Sequence, residues 1–202
     1  MSGQRSTFVK VCGLTQEQQI DWAVELGYDA VGIVVTPKSK RYCPPGRAVA
    51  LAGHARGRIP VFAVALAYAE TAAVAEHFDV IQIYETADIP NLALASGTPP
   101  EKPEALRYFF YDASAGSGVF ADIPGWVGDV PGNVVIAGGL DEHNVAGVIE
   151  EFGPYGVDVS SSVETAPGVK SREKMAAFIA AARTPGGTSG GAGGPGPGRD
   201  GR

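Results

Sequence analysis

Short apolar runs alternate along the chain with amphipathic or turn-rich stretches, and the spacing predicts alternating strands and helices. Phe8 to Val11 reads as the first strand. A capping-box pattern, Thr15-Gln16-Glu17-Gln18, opens a helix that runs to Leu26 and stops at Gly27, with Ile20, Ala23, Val24 and Leu26 on its apolar stripe. Ala30 to Val35 is apolar throughout, the pattern of a parallel strand covered on both faces. A helix over Gly46–Ala55, a strand over Ile59–Leu66, a helix over Tyr68–His77 and a strand over Val80–Tyr84 follow. Asn91–Ala95 is a short fifth strand, Pro103–Leu106 makes a helical turn or two, and Tyr108–Tyr111 is the sixth strand. Asn133–Ala137, a helix over Asp141–Phe152 with Asp141 as N-cap, Val157–Ser160 and a helix over Ser171–Arg183 complete the order.

Eight strands in β–α order imply parallel pairing and a closed (β/α)8 barrel, with an open doubly wound sheet as the alternative. No G-x-G-x-x-G follows the first strand, which argues against a dinucleotide-binding fold. Residues 1–183 form the single barrel domain in this scheme. Residues 184–202 are almost all Gly, Pro, Ser, Thr and charge, and are expected to be a disordered tail. Without the tail the barrel is small.

Composition narrows the function. The net charge of −6 is a poor match to a nucleic-acid binder, which needs a basic footprint. No apolar run reaches the ~18 residues of a membrane span, and the N-terminus lacks a signal-peptide h-region. The two cysteines, Cys12 and Cys43, make no disulfide framework and fit a reducing, cytoplasmic setting. Nothing in the sequence separates a monomer from a homodimer.

In a (β/α)8 barrel the chemistry lies where strands end. Those ends hold Cys12-Gly13, the basic run Lys38-Ser39-Lys40-Arg41, Gln82, Asp112, Gly138-Gly139, and Asp158 with Ser160, Ser161 and Ser162. The segments VKVCGLT, TPKSKRY, VIQIYE, FFYDASAGSG, IAGGLDEHNV and GVDVSSSVETAPGVKS, in this order, resemble the phosphoribosylanthranilate isomerase family of tryptophan biosynthesis. The resemblance spans most of residues 8–183.

It implies a TIM barrel and an aldose–ketose type isomerase. The reaction is an Amadori rearrangement of N-(5-phosphoribosyl)anthranilate to a 1-deoxyribulose 5-phosphate, needing no metal and no cofactor. It further implies that Cys12 is the general base at C2′, that Asp112 is the general acid at the furanose oxygen, and that Arg41 contacts the anthranilate carboxylate. Gln82 and Asp158 fall on substrate-positioning places of the motifs. For the phosphate, Gly116-Ser117-Gly118, Gly138-Gly139 and Ser160-Ser161 are the candidates, since glycine lets backbone amides approach an anion closely. These roles need a Cys12 thiolate, and so a pKa below ~8.5, and a protonated Asp112, and so a pKa above ~3.9.

The chain departs from the family pattern at the fourth strand, where Tyr84-Glu85 replaces His-Gly. The stretch to Asp112 is about one helix short, so the helix after strand four is expected to be missing or reduced to a turn. Ala115 and Ser162 stand where the family has glycine. A changed ribosylamine phosphate substrate, or a non-catalytic phosphate-ligand-binding relative, is the alternative reading.

Overall fold

The apolar run at the N-terminus forms strand β1 (Phe8–Cys12), and its side chains alternate between two environments. Val9 and Val11 pack outward into the layer shared with the helices. Phe8 and Cys12 belong to the inner cluster, as does Lys10, whose ammonium lies over the Phe62 and Phe110 rings. The structure, a computed structural model, describes residues 6–112 and 122–184.

Helix α1 (Glu17–Leu26), β2 (Ala30–Val34), helix α2 (Pro45–Ala55), β3 (Val61–Val64), β4 (Val80–Ile83), β5 (Leu92–Ser96), β6 (Tyr108–Tyr111), β7 (Val134–Ile136), helix α3 (Val145–Phe152) and β8 (Gly156–Val159) follow in chain order. The eight strands close into one parallel barrel, each pairing with its sequence neighbour. Closure is made by β1 on β8, with Lys10 opposite Asp158 in the register. A hairpin of β9 (Glu164–Ala166) and β10 (Val169–Lys170) precedes the last helix, α4 (Arg172–Arg183). The open-sheet alternative is therefore excluded.

Aromatic rings fill the floor of the barrel. Phe8, Tyr108 and Tyr155 stack at 5.4–5.9 Å between centroids, and Phe62 and Phe110 close the layer above them. Above these rings the interior turns polar, with Lys10, Gln82, Asp112 and Asp158 all buried. The floor is a packed core and the mouth holds the chemistry.

The helical layer is thinner than the sequence pattern suggests. Among the described residues, α-helices follow only β1, β2, β7 and β8. The helix after strand four, expected to be missing or reduced to a turn, is missing: no helical residue lies between β4 and β5. The helix expected over Tyr68–His77 is instead two 3₁₀ turns, Tyr68–Thr71 and Ala75–His77. Three side-chain bonds compete with the helical ladder there: the Thr71 hydroxyl donates to the Tyr68 carbonyl, and Glu70 accepts from the nearby Leu66 amide and from the Thr36 hydroxyl, 34 residues away. Further 3₁₀ turns at Pro103–Ala105 and Gly125–Asp129 stand where helices would follow β5 and β6. Trp126, on the second of these, covers Phe109 and Tyr111.

Two helix starts also differ from expectation. The Thr15 hydroxyl donates to the Gly168 carbonyl instead of capping α1, while Gln19 Oε1 accepts the Thr15 amide. Asp141 accepts the amides of His143 and Asn144 in a turn before α3, so the N-cap position falls to Asn144. Ser171 does cap α4, accepting the Lys174 amide. Among the described residues no helix is long and apolar enough to cross a membrane. Of the expected tail, residues 185–202 lie outside the described residues.

Candidate active site

The polar strand ends surround a cavity of about 550 Å³ at the barrel mouth. Cys12 from β1, Gln82 and Tyr84 from the end of β4, Asp112 after β6 and Asp158 from β8 all line it. Lys38, Lys40 and Arg41 line it from the loop after β2. Gly138-Gly139 and Ser160-Ser161 complete the opposite rim. Of the residues singled out in the sequence, Gly116, Ser117 and Gly118 lie outside the described residues. Ser162 sits in a right-handed 3₁₀ turn and donates to the Leu140 carbonyl, so its backbone has no need of glycine.

At the centre is a buried charge group. Lys10 is fully buried, and its Nζ donates to both oxygens of Asp158 at 3.1 Å. Burial disfavours the ammonium, but the Asp158 carboxylate and the Cys12 sulfur outweigh it and hold Lys10 above the ordinary lysine range. Burial pushes the Asp158 carboxyl up against the pull of Lys10. Cys12 shares this pocket, 8% exposed.

The expected lowering of the Cys12 pKa does not occur. Burial raises the thiol, Asp158 raises it further, and the nearby Lys10 and Lys170 charges offset only part of this. Lys10 gives the larger of the two offsets, but Asp158 beside it acts in the opposite direction and burial outweighs both lysines. Cys43, by contrast, is buried away from the cavity with its thiol on the Leu14 carbonyl, a packing residue.

Backbone geometry explains two glycines of the site. Gly13 has φ +81°, and a Cβ there would lie 2.4 Å from Arg41 Cδ. This left-handed residue turns the chain after Cys12 and lets the arginine stem cross it closely. A Cβ on Gly32 of β2 would lie 2.8 Å from Cys12 Sγ and 3.1 Å from Lys10 Nζ. The bare backbone at Gly32 makes the room for the buried thiol and ammonium.

Arg41 is held by the protein itself. Its Nε and one terminal nitrogen donate to the two oxygens of Glu164, at 2.8 and 2.7 Å, in a bidentate fork. Lys170 donates to the same carboxylate at 2.8 Å. Burial works against the Glu164 carboxylate, yet Arg41 and Lys170 together hold it below the usual range. Burial lowers Lys170, against the pull of Glu164. The hairpin β9–β10 thus clamps the basic loop with two cations on one carboxylate.

Two further contacts concern the strand-four end. The Tyr84 hydroxyl donates to Asp112 Oδ2 at 2.7 Å. Gln82 Oε1 is buried in the cavity wall without a hydrogen-bond partner among the described residues. No group of three or more His, Cys, Asp or Glu side chains is arranged for a metal ion among the described residues.

Lys10, Tyr84, Glu164 and Lys170 were not singled out as site residues in the sequence. Lys10 carried a usable signal: a lone charge inside an apolar strand, two residues before Cys12 and so on the same face. Glu164 and Lys170 flank Pro167-Gly168, a hairpin turn read only as part of a motif. The Tyr84–Asp112 contact joins residues 28 apart and has no local signature.

Comparison with known proteins finds relatives of the whole barrel. Residues 101–181 match the family described as N-(5'phosphoribosyl)anthranilate (PRA) isomerase. The N-(5'-phosphoribosyl)anthranilate isomerase of Chromohalobacter salexigens is 34% identical over an alignment covering 88% of this chain and 95% of that one. Among solved structures, TrpF from Jonesia denitrificans is 33% identical with a TM-score of 0.76, covering 88% of this chain and 97% of that one. A phosphoribosyl anthranilate isomerase in complex with reduced 1-(o-carboxyphenylamino)-1-deoxyribulose 5-phosphate is 28% identical with a TM-score of 0.72, over 87% of this chain and 98% of that one.

Proposed function

Since this chain belongs to the N-(5'-phosphoribosyl)anthranilate isomerase family, we propose that it converts N-(5′-phosphoribosyl)anthranilate to its 1-deoxyribulose 5-phosphate isomer in tryptophan biosynthesis. Asp112 protonates the furanose oxygen as the ring C–O bond opens, leaving a Schiff base. Cys12, as thiolate, removes the C2′ proton, and the resulting enolamine tautomerises to the ketose. Protons given and taken balance over the cycle. The carrying observation is that Cys12 and Asp112, from β1 and β6, border one cavity with a cationic loop on one rim and glycine-rich backbone on the other.

The two ends of the substrate have matching chemistry. Arg41 presents a planar guanidinium pre-oriented by Glu164, suited to the anthranilate carboxylate. Gly138 and Gly139, both with positive φ, and Ser160-Ser161 offer close backbone approach to the phosphate. Gln82 Oε1 is an acceptor for a ribose hydroxyl, and Asp158, with Lys10, sets the field at Cys12. The raised thiol makes Cys12 a strong base present in small amount near neutral pH, so turnover rises with pH as the thiolate fraction grows.

The test is complementation of an isomerase-deficient tryptophan auxotroph. Growth with the wild-type gene and none with Cys12→Ala or Asp112→Ala, each expressed as folded protein, is expected. Absence of growth with soluble wild-type chain refutes the assignment, and near-wild-type turnover by both variants refutes the residue roles.

A further inference from the structure

The loop after β2 puts Lys38, Lys40 and Arg41 on the rim of the cavity, and the three cations differ in what they hold. Arg41 is forked onto Glu164. Lys38 and Lys40 are exposed, and neither ammonium has a hydrogen bond or ion pair among the described residues. Their backbone is nevertheless tied down. The Ser39 amide donates to the Thr36 carbonyl, the Ser39 hydroxyl accepts the Arg41 amide, and the Tyr42 and Cys43 amides donate to the Ser39 and Val34 carbonyls. Two unspent positive charges thus sit on a hydrogen-bonded turn at the barrel mouth.

The other charges of the site largely cancel. Lys10 faces Asp158, and Arg41 and Lys170 share the one carboxylate of Glu164. Asp112 is neutral in its acid form. Glu70 lies near Lys38 and offsets part of its field, while accepting from the Thr36 hydroxyl and the Leu66 amide. The chain as a whole carries −6, a charge that repels anions. A substrate bearing both a carboxylate and a phosphate therefore meets its unpaired attraction at the two rim lysines.

We propose that Lys38 and Lys40 are specificity-determining residues that draw the carboxylate-bearing end of the substrate to the rim beside Arg41, speeding productive capture without taking part in the chemistry. This rests on the substrate assigned above. An exposed ammonium keeps its water shell and acts on an anion over about 8 Å at physiological salt. In a cleft, such a field raises association rates by roughly 10–10³. Arg41, its charge set against Glu164, takes over at contact, where its planar donors match the carboxylate.

The test replaces Lys38→Gln together with Lys40→Gln, two exposed positions whose loss leaves no buried group unpaired. In turnover of N-(5′-phosphoribosyl)anthranilate at low ionic strength, kcat/KM should fall about tenfold while kcat changes less than about twofold. The gap should close as NaCl is raised to about 0.5 M, where screening leaves a reach of only a few ångström. Lys38→Arg with Lys40→Arg keeps both charges and should keep the wild-type salt dependence. Arg56→Gln with Lys102→Gln removes two exposed charges outside the cavity and should leave kcat/KM within about twofold of wild type. A gap that persists at high salt, a loss carried by kcat, or an equal loss from the distant pair overturns the proposal. If the wild-type chain shows no turnover, the proposed function fails. Capture is then read from the association rate of reduced 1-(o-carboxyphenylamino)-1-deoxyribulose 5-phosphate, followed by stopped-flow fluorescence of its aromatic ring. Association about tenfold slower in the glutamine pair at low salt supports the proposal, and an unchanged rate or no binding by wild type refutes it.

Discussion

Replacing Lys10 by Met tests the buried charge group directly. Methionine keeps most of the stem volume among Phe62 and Phe110 but removes the ammonium from both Asp158 oxygens. Asp158 is then a carboxylate in the barrel interior without its ion-pair partner. Breaking a buried pair from one side costs roughly 3–5 kcal/mol. With a urea slope of about 2 kcal/mol/M, the unfolding midpoint at pH 7 should drop by roughly 2 M.

The loss should shrink on acidification. The Asp158 carboxyl already titrates above its ordinary value in the folded chain, and losing Lys10 raises it further. The folded variant therefore binds the proton more readily than the unfolded chain, and its stability rises as pH falls through that window. The double variant Lys10→Met with Asp158→Leu removes both charges and should recover most of the loss. A single-variant loss under about 1 kcal/mol, or a double variant no more stable than the single, would refute the coupling. Turnover should fall in either case, since Cys12 loses a neighbouring positive charge.

Two other outcomes follow from the same cluster. Gly32→Ala places a methyl 2.8 Å from Cys12 Sγ in a strand paired on both edges; overpacking of about 1–3 kcal/mol should lower Tm by roughly 3–10 °C in thermal unfolding. Glu164→Gln leaves Lys170 buried without its carboxylate and should cost about 3 kcal/mol at pH 7 by urea titration. The Glu164 pKa is depressed from 4.5, so its contribution is present above that value and is lost as pH falls through the lower folded value. Wild type and variant should therefore converge in stability at acid pH, and a gap that persists there would argue against the clamp.

Much of the barrel was legible in the sequence because parallel strands covered on both faces announce themselves as apolar runs. Ala30–Val34, Val80–Ile83 and Tyr108–Tyr111 fall within a residue of where the runs placed them. Strand ends then located Cys12, Asp112 and Asp158, and the structure brings all three to one cavity. Periodicity was a poorer guide to helices. At Tyr68–His77 the outcome depended on where Thr71 and Glu70 sent their side chains, and one of those partners, Thr36, lies 34 residues away.

Chain order and hydrophobic pattern by themselves determined the architecture and which residues reach the barrel mouth, because strand direction and period-two alternation are local properties. Tertiary structure alone decided the chemistry at the mouth. It buried Lys10 against Asp158, forked Arg41 onto Glu164, and set Tyr84 on Asp112. It also reversed the expected sign at Cys12, because desolvation depends on everything packed around the sulfur and outweighed the two lysines beside it.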